Sequence, residues 1–227
     1  MSLSHSPLIV RDGLVLCLDA ANPRSYPKSG TTWTDLKGSN NGTLTNGPTF
    51  DTANGGSIVL DATDDRIAIP DLNGDFDIGT GDFSICLWFY FPSQGTHNYI
   101  HLFSFDNQDN FALKAGSAEY GRGIYFYGGS SYRTHLNDFG SWPIKLDTWQ
   151  YICLTRSGST HKGYDDGQIV GSVSVSAKTL SCSTAYLGYG HSSEFTSQKR
   201  GLTKFYNRAL SADEVRQNYK ATKGRYK

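Results

Sequence analysis

The sequence predicts an all-β fold in a single domain, an antiparallel two-sheet β-sandwich closed by one short C-terminal helix. Three observations carry this reading. Apolar runs of strand length recur along the chain between turn-forming residues. The composition combines 25 glycines and 13% Tyr, Phe and Trp with 19% charged residues, which suits many strands joined by tight turns and disfavours coiled coil or disorder. Helical periodicity is confined to one place, within GLTKFYNRALSADEVRQNY at 201–219. At 227 residues the chain matches the size of single-domain sandwiches, and it can bury roughly 70–75% of its unfolded surface without staples.

Residues 1–12 read as an N-terminal arm. They carry no basic leading region and no continuous apolar stretch, so neither a secretory signal nor a membrane-spanning segment is expected. The domain proper runs over 13–221. Ile58 and Leu60, then Ile67 and Ile69, share a face across the turn residues Thr63, Asp64 and Asp65. FSICLWFYF at 83–91 is apolar on both faces, as a central strand covered on both sides should be, and the middle of WQYICLTR at 149–156 is similar. Asp166-Gly167 suits a type I′ hairpin, and VSVS at 173–176 alternates so that one face is wet. Two long segments, 20–50 and 116–146, lack clean alternation. In the final segment Ser211 stands at an N-cap with Glu214 three residues on, a capping box, and Leu210 and Val215 occupy the staple positions. Ala212, Val215 and Tyr219 make one apolar helical face. Residues 222–227 read as a solvated basic tail.

Six stretches beyond the closing FYNRALSADEV follow a familiar order. They are GLVLCLDAANPRSYPKSGTTWTDLKGSNNGTLTNGPTF at 13–50, SIVLDATDDRIAIP at 57–70, DFSICLWFYFP at 82–92, DTWQYICLTRSG at 147–158, YDDGQIVGS at 164–172 and AYLGYG at 185–190. Together they resemble the laminin-G-like jelly rolls of the concanavalin A-like lectin/glucanase superfamily, over nearly the whole chain. The opening motif is most similar to a subgroup met in tailed-phage virion proteins. The resemblance implies a concanavalin A-like jelly roll and puts Trp33, Trp88 and Trp149 in packing positions. It also implies that a structural Ca²⁺ is compatible with the fold, and Asp19 matches the acidic position that opens the family. Asp61, Asp64 and Asp65 offer further oxygen donors, although Asp in turns needs no metal to explain it. No other cofactor is expected.

Lys plus Arg equals Asp plus Glu at 21 each, so the net charge is zero and nucleic acid and anionic membranes are poor partners. The four cysteines, 17, 86, 153 and 182, lie in strand-like runs without CxxC spacing. Two disulfides could form in three pairings, but buried free thiols are expected. Catalysis is disfavoured. Glycoside hydrolysis needs two carboxylates about 5–9.5 Å apart across the scissile bond. The chain has three glutamates, 119, 194 and 214, and the adjacent pairs Asp64-Asp65 and Asp165-Asp166 cannot share a strand face. There is no Gly-x-Ser-x-Gly elbow and no His-Glu-x-x-His.

What remains is recognition. Sugars are bound by aromatic faces with polar groups fixing the hydroxyls. The 116–142 segment supplies Tyr120, Arg122, Tyr132, Arg133, His135, Asp138 and Trp142 among glycines, and loops on a rigid sandwich commonly carry function. The expectation is a non-catalytic lectin-like module, a capsid or tail accessory protein on a virion surface after synthesis in the host cytoplasm. Its partners would be cell-surface glycans, other virion proteins, or both, with homo-oligomerisation left open. A purely structural decoration protein and a glycoside hydrolase are the alternatives.

Overall fold

The computed structural model describes residues 7–93, 99–106, 111–116, 124–127, 133–134, 144–174, 178–190 and 195–226. In chain order the strands are β1 (Leu14–Asp19), β2 (Thr32–Trp33), β3 (Gly42–Thr45), β4 (Thr49–Asp51), β5 (Ser57–Asp61), β6 (Arg66–Pro70), β7 (Phe83–Tyr90) and β8 (Tyr99–Phe105). They continue with β9 (Phe111–Gly116), β10 (Ile124–Tyr127), β11 (Arg133–Thr134), β12 (Trp149–Ser157), β13 (Thr160–Asp165), β14 (Gln168–Ser174), β15 (Thr184–Leu187) and β16 (Ser197–Tyr206), and a helix α1 spans Ala212–Thr222. Sheet A has the order β14-β13-β12-β7-β16-β5-β4, with β1 paired to the second half of β16. Sheet B has the order β11-β10-β9-β8-β15-β6-β3-β2. The pairings within both sheets are antiparallel, as expected for a sandwich of this class.

The two sheets close over one apolar core. Phe83, Ile85, Leu87 and Phe89 of β7 meet Phe103, Phe105 and Leu113 of sheet B. The Phe205 ring joins this layer, 5.2 Å edge-on from Phe76 and 6.0 Å from Phe83. The alternate residues of β7, Cys86 and Trp88, point to the far side of sheet A into a second cluster with Tyr151, Tyr206, Leu210 and Val215. That second cluster explains why β7 reads apolar on both faces: one face meets sheet B, the other meets the helix. Trp33, Trp88 and Trp149 are all buried packing residues.

The helix starts as its sequence dictates. Ser211 Oγ accepts from the Glu214 N–H at 3.3 Å, and a Glu214 carboxylate oxygen accepts from the Ser211 N–H at 2.8 Å. Val215 is fully buried against sheet A. Asn218 ties the helix down, accepting from the Val10 N–H at 2.9 Å and donating to the Tyr206 hydroxyl at 3.0 Å. The chain beyond the helix departs from the expected solvated tail. Tyr226 is buried, stacked 4.3 Å from Trp88, and Arg225 forms an ion pair with Asp19. An amphipathic side chain after a helix looks solvated in sequence, because the surface that receives it comes from distant strands.

The cysteines divide. Cys86 and Cys153 lie directly opposite each other on β7 and β12 and are joined as a disulfide, contrary to the expected free thiols. Cys17 and Cys182 are free and buried, as expected. The hairpin between β13 and β14 has both Asp166 and Gly167 at positive φ, 48° and 79°, the conformation that a type I′ turn requires.

Candidate functional site

Strand alternation splits sheet B into a core face and an outward face. Leu44, Ile67, Ile69, Ala185, Leu187, Phe103 and Leu113 turn into the core. Thr43, Arg66, Ala68, Tyr186, Ser104 and Ala112 therefore point away from it, with Ser104 and Ala112 fully buried on that side and Arg66, Ala68 and Tyr186 half-buried. The register places Thr43 opposite Ala68, Ala68 opposite Tyr186, Tyr186 opposite Ser104 and Ser104 opposite Ala112. Tyr186 thus stands in a row of small residues, which leaves its ring without a tall neighbour on either adjoining strand.

Three more side chains extend this ring into a platform. Tyr189 lies 5.2 Å from Tyr186 in an edge-on arrangement, and Phe195 lies 5.3 Å from Tyr189. The Arg66 guanidinium sits over the Tyr189 ring at 5.4 Å. All four residues are half-buried. Tyr189 is positioned by the glycines on either side of it. Gly188 has φ 78°, and a Cβ there would come within 2.1 Å of Leu60; a Cβ at Gly190 would strike the His101 ring at 1.8 Å. Ser104 Oγ donates to the Tyr189 carbonyl at 2.7 Å, anchoring the backbone between them. Half-buried rings beside a guanidinium can stack on a ligand's C–H surface while the guanidinium donates to its hydroxyls or to a carboxylate. Among the described residues, the strands of sheet B contain no Asp or Glu.

Of the residues singled out in the sequence, Tyr120, Arg122, Tyr132, His135, Asp138 and Trp142 lie outside the described residues. Arg133 is described in its backbone alone, paired with Tyr127 in the β10–β11 hairpin. That hairpin continues sheet B beyond β9, so the described backbone of the candidate segment belongs to the same sheet as Tyr186. Tyr186, Tyr189, Phe195 and Arg66 were missed. AYLGYG and DDRIAIP read as strand motifs of the fold, yet the alternation of Tyr186 with the core residues Ala185 and Leu187 already marks it as outward.

The calcium candidate Asp19 is taken by another partner. Its two carboxylate oxygens accept from Arg225 at 2.8 and 2.9 Å, and one also accepts from the Ala21 N–H at 3.1 Å. The carboxylates of Asp61, Asp64 and Asp65 instead gather in the β5–β6 turn. Burial, reinforced by the neighbouring Asp61 charge, pushes Asp65 up to about 6.

A family model described as the concanavalin A-like lectin/glucanases superfamily matches residues 61–216. No curated protein matches the sequence. Among solved structures, Trypanosoma rangeli sialidase in complex with sialic acid superposes with a TM-score of 0.71 at 14% identity, over 98% of this chain and 36% of the sialidase. The binding domain of Paraclostridial Mosquitocidal Protein 1 gives 0.70 at 16% identity, over 91% of this chain and 52% of that one. Domain 4 of AbnA, a GH43 extracellular arabinanase from Geobacillus stearothermophilus solved with arabinotriose, gives 0.71 at 18% identity, over 91% of this chain and 98% of the domain. The chain therefore spans about a third to a half of the sialidase and toxin chains, and at these identities the likeness is one of fold.

Proposed function

Because this chain belongs to the concanavalin A-like lectin/glucanase superfamily, we propose that it is a non-catalytic carbohydrate-binding module whose ligand lies on the outward face of sheet B. The observation that carries the reading is the platform of Tyr186, Tyr189, Phe195 and Arg66 on a sheet whose described strands contain no carboxylate. Rings and a guanidinium bind a sugar, while glycoside cleavage of the usual kind needs two acids across the bond. The structural neighbours supply the first probes, since one was solved with arabinotriose and another with sialic acid. The similarity of the 13–50 motif to tailed-phage virion proteins supports placing the module on a virion surface, beside other virion proteins. Mass spectrometry of purified virions tests that placement.

A glycan array followed by calorimetry tests the binding. Tyr186→Ala and Tyr189→Ala should each weaken binding at least about tenfold, in line with the roughly 1.4 kcal/mol per decade that one lost stacking contact can supply. Their denaturation midpoints should stay close to that of the parent. Unchanged affinity in both variants would move the ligand off this platform, and loss confined to Trp142→Ala would place it in the 116–142 segment. A parent chain that binds no glycan would leave the structural-decoration reading.

A further inference from the structure

Arg66 differs from the other arginines that the fold draws out of water. Arg156 and Arg200 donate to carbonyls, Arg208 pairs with Glu214, and Arg225 pairs with Asp19. Arg66 is half-buried too, yet among the described residues neither a carbonyl nor a carboxylate accepts from its guanidinium. It opens β6, and alternation with the core residue Ile67 turns its side chain to the outward face. There it lies over the Tyr189 ring at 5.4 Å, on the same platform as Tyr186 and Phe195. The acids of the preceding turn, Asp61, Asp64 and Asp65, gather with one another, and none comes within ion-pair distance of it.

We propose that Arg66 makes the platform selective for an acidic glycan, its guanidinium pairing with a sugar carboxylate while the neighbouring rings stack on the sugar. The inference rests on the carbohydrate-binding reading above and names the ligand class of that site. A guanidinium has N–H donors and no acceptor, so an anion completes it better than a hydroxyl, which must also donate its own proton. Its planar fork fits a carboxylate through two parallel hydrogen bonds. Contact with Tyr189 already limits the freedom of the long side chain, which lowers the ordering cost of pairing. The described strands of sheet B hold no Asp or Glu to compete for it. Among the described residues Arg66 is the platform's one cation, on a chain of zero net charge. That suits one carboxylate per site, whereas a polysulfated glycan calls for a run of cations.

The test begins on the parent chain. An array of neutral, uronic-acid and sialic-acid oligosaccharides gives the ligand class. Calorimetry then compares an acidic hit with its own methyl ester, which keeps every ring and removes the charge. Esterification should weaken binding at least about tenfold, the scale of a hydrogen bond to a charged group. Arg66→Gln should weaken binding of the acid by a similar factor and leave affinity for the ester unchanged, so that the two changes are not additive. Arg66→Lys, which keeps the charge without the fork, should fall between the parent and Arg66→Gln. The ester comparison needs no substitution, so it decides even where Arg66→Gln does not fold. Neutral hits that depend on Tyr186 and Tyr189 would sustain the carbohydrate reading and overturn the acidic one. Equal affinity for acid and ester, or for parent and a folded Arg66→Gln, would overturn it as well. A chain that captures no glycan would remove both.

Discussion

At the scale of single residues, the fold tolerates two cations that strand reading alone would have left in water. Alternation along QKRGLTKFY suggests a wet face, yet Arg200 and Lys204 are fully buried. Arg200 crosses between the sheets and donates to the carbonyls of His101 and Leu102 at 3.0 and 2.6 Å. Lys204 lies in a row across sheet A, between Cys17 on β1 and Cys86 on β7, and its Nζ has no hydrogen-bond partner. Burial brings that ammonium down to about 8. The unfolded lysine holds its proton to about pH 10.4, so between these values the unfolded chain binds more protons and stability rises with pH. Lys204→Met should therefore raise stability by about 1–3 kcal/mol at pH 7, and the gain should shrink by pH 10. Urea denaturation at the two pH values checks it; a variant less stable than the parent at pH 7 would show that the charge is compensated.

At the scale of elements, the C-terminal helix was legible because its signals are local. The capping box and staple sit within six residues of one another, and the bonds found are those the sequence implies. The surface covered by the helix was not legible, since Trp88, Tyr151 and Val10 arrive from far along the chain. Ser211→Ala should cost about 1 kcal/mol through one lost cap bond. Val215→Ala should cost more, about 1–3 kcal/mol, because it opens a cavity against sheet A. Equal midpoints for the parent and Val215→Ala would contradict a docked helix. The start of the helix is also acid-sensitive. Arg208 hydrogen-bonds Glu214 and, helped by the Ser211 N–H, holds its carboxyl down to about 2. This stabilisation is present above the unfolded value of about 4.5 and is lost as pH falls towards 2. Acid titration of Glu214→Gln should thus show a flatter loss of stability between pH 4.5 and 2 than the parent.

At the scale of the whole molecule, the two-sheet architecture followed from ordered motifs and doubly apolar strands, while the pairing register did not. Register decides that Cys86 meets Cys153, and that Tyr186 stands between Ala68 and Ser104. Neither is visible in a one-dimensional pattern, because both depend on which strands become neighbours. The sequence points to a candidate ligand face by loop composition in 116–142, whereas the structure adds a sheet-borne candidate, the Tyr186–Tyr189–Phe195 platform. A sheet-face platform of half-buried rings orders a hydrated sugar without enclosing it, so if the proposed function holds, single-site dissociation constants of about 10 μM to 1 mM are expected. Tetramerising the chain on streptavidin should raise apparent affinity about 10²-fold or more, and calorimetry on the monomer against surface binding of the tetramer measures the difference.

Residues 8–10 and the 217–226 segment share one side of the molecule, and this sets how it can be presented. The Leu8 carbonyl accepts from Gln217 on the helix at 2.7 Å, Val10 is bound to Asn218, and Tyr226 stacks on Trp88. All of these contacts lie on the far side of sheet A, whereas Tyr186 and Tyr189 look out from sheet B. A tether leaving near residue 7 or residue 226 therefore departs from the back and leaves the aromatic platform facing forward. Biotin placed at either end should preserve full glycan capture on a sensor chip. Biotin on a cysteine introduced at Thr43, in the Tyr186 row, should block it.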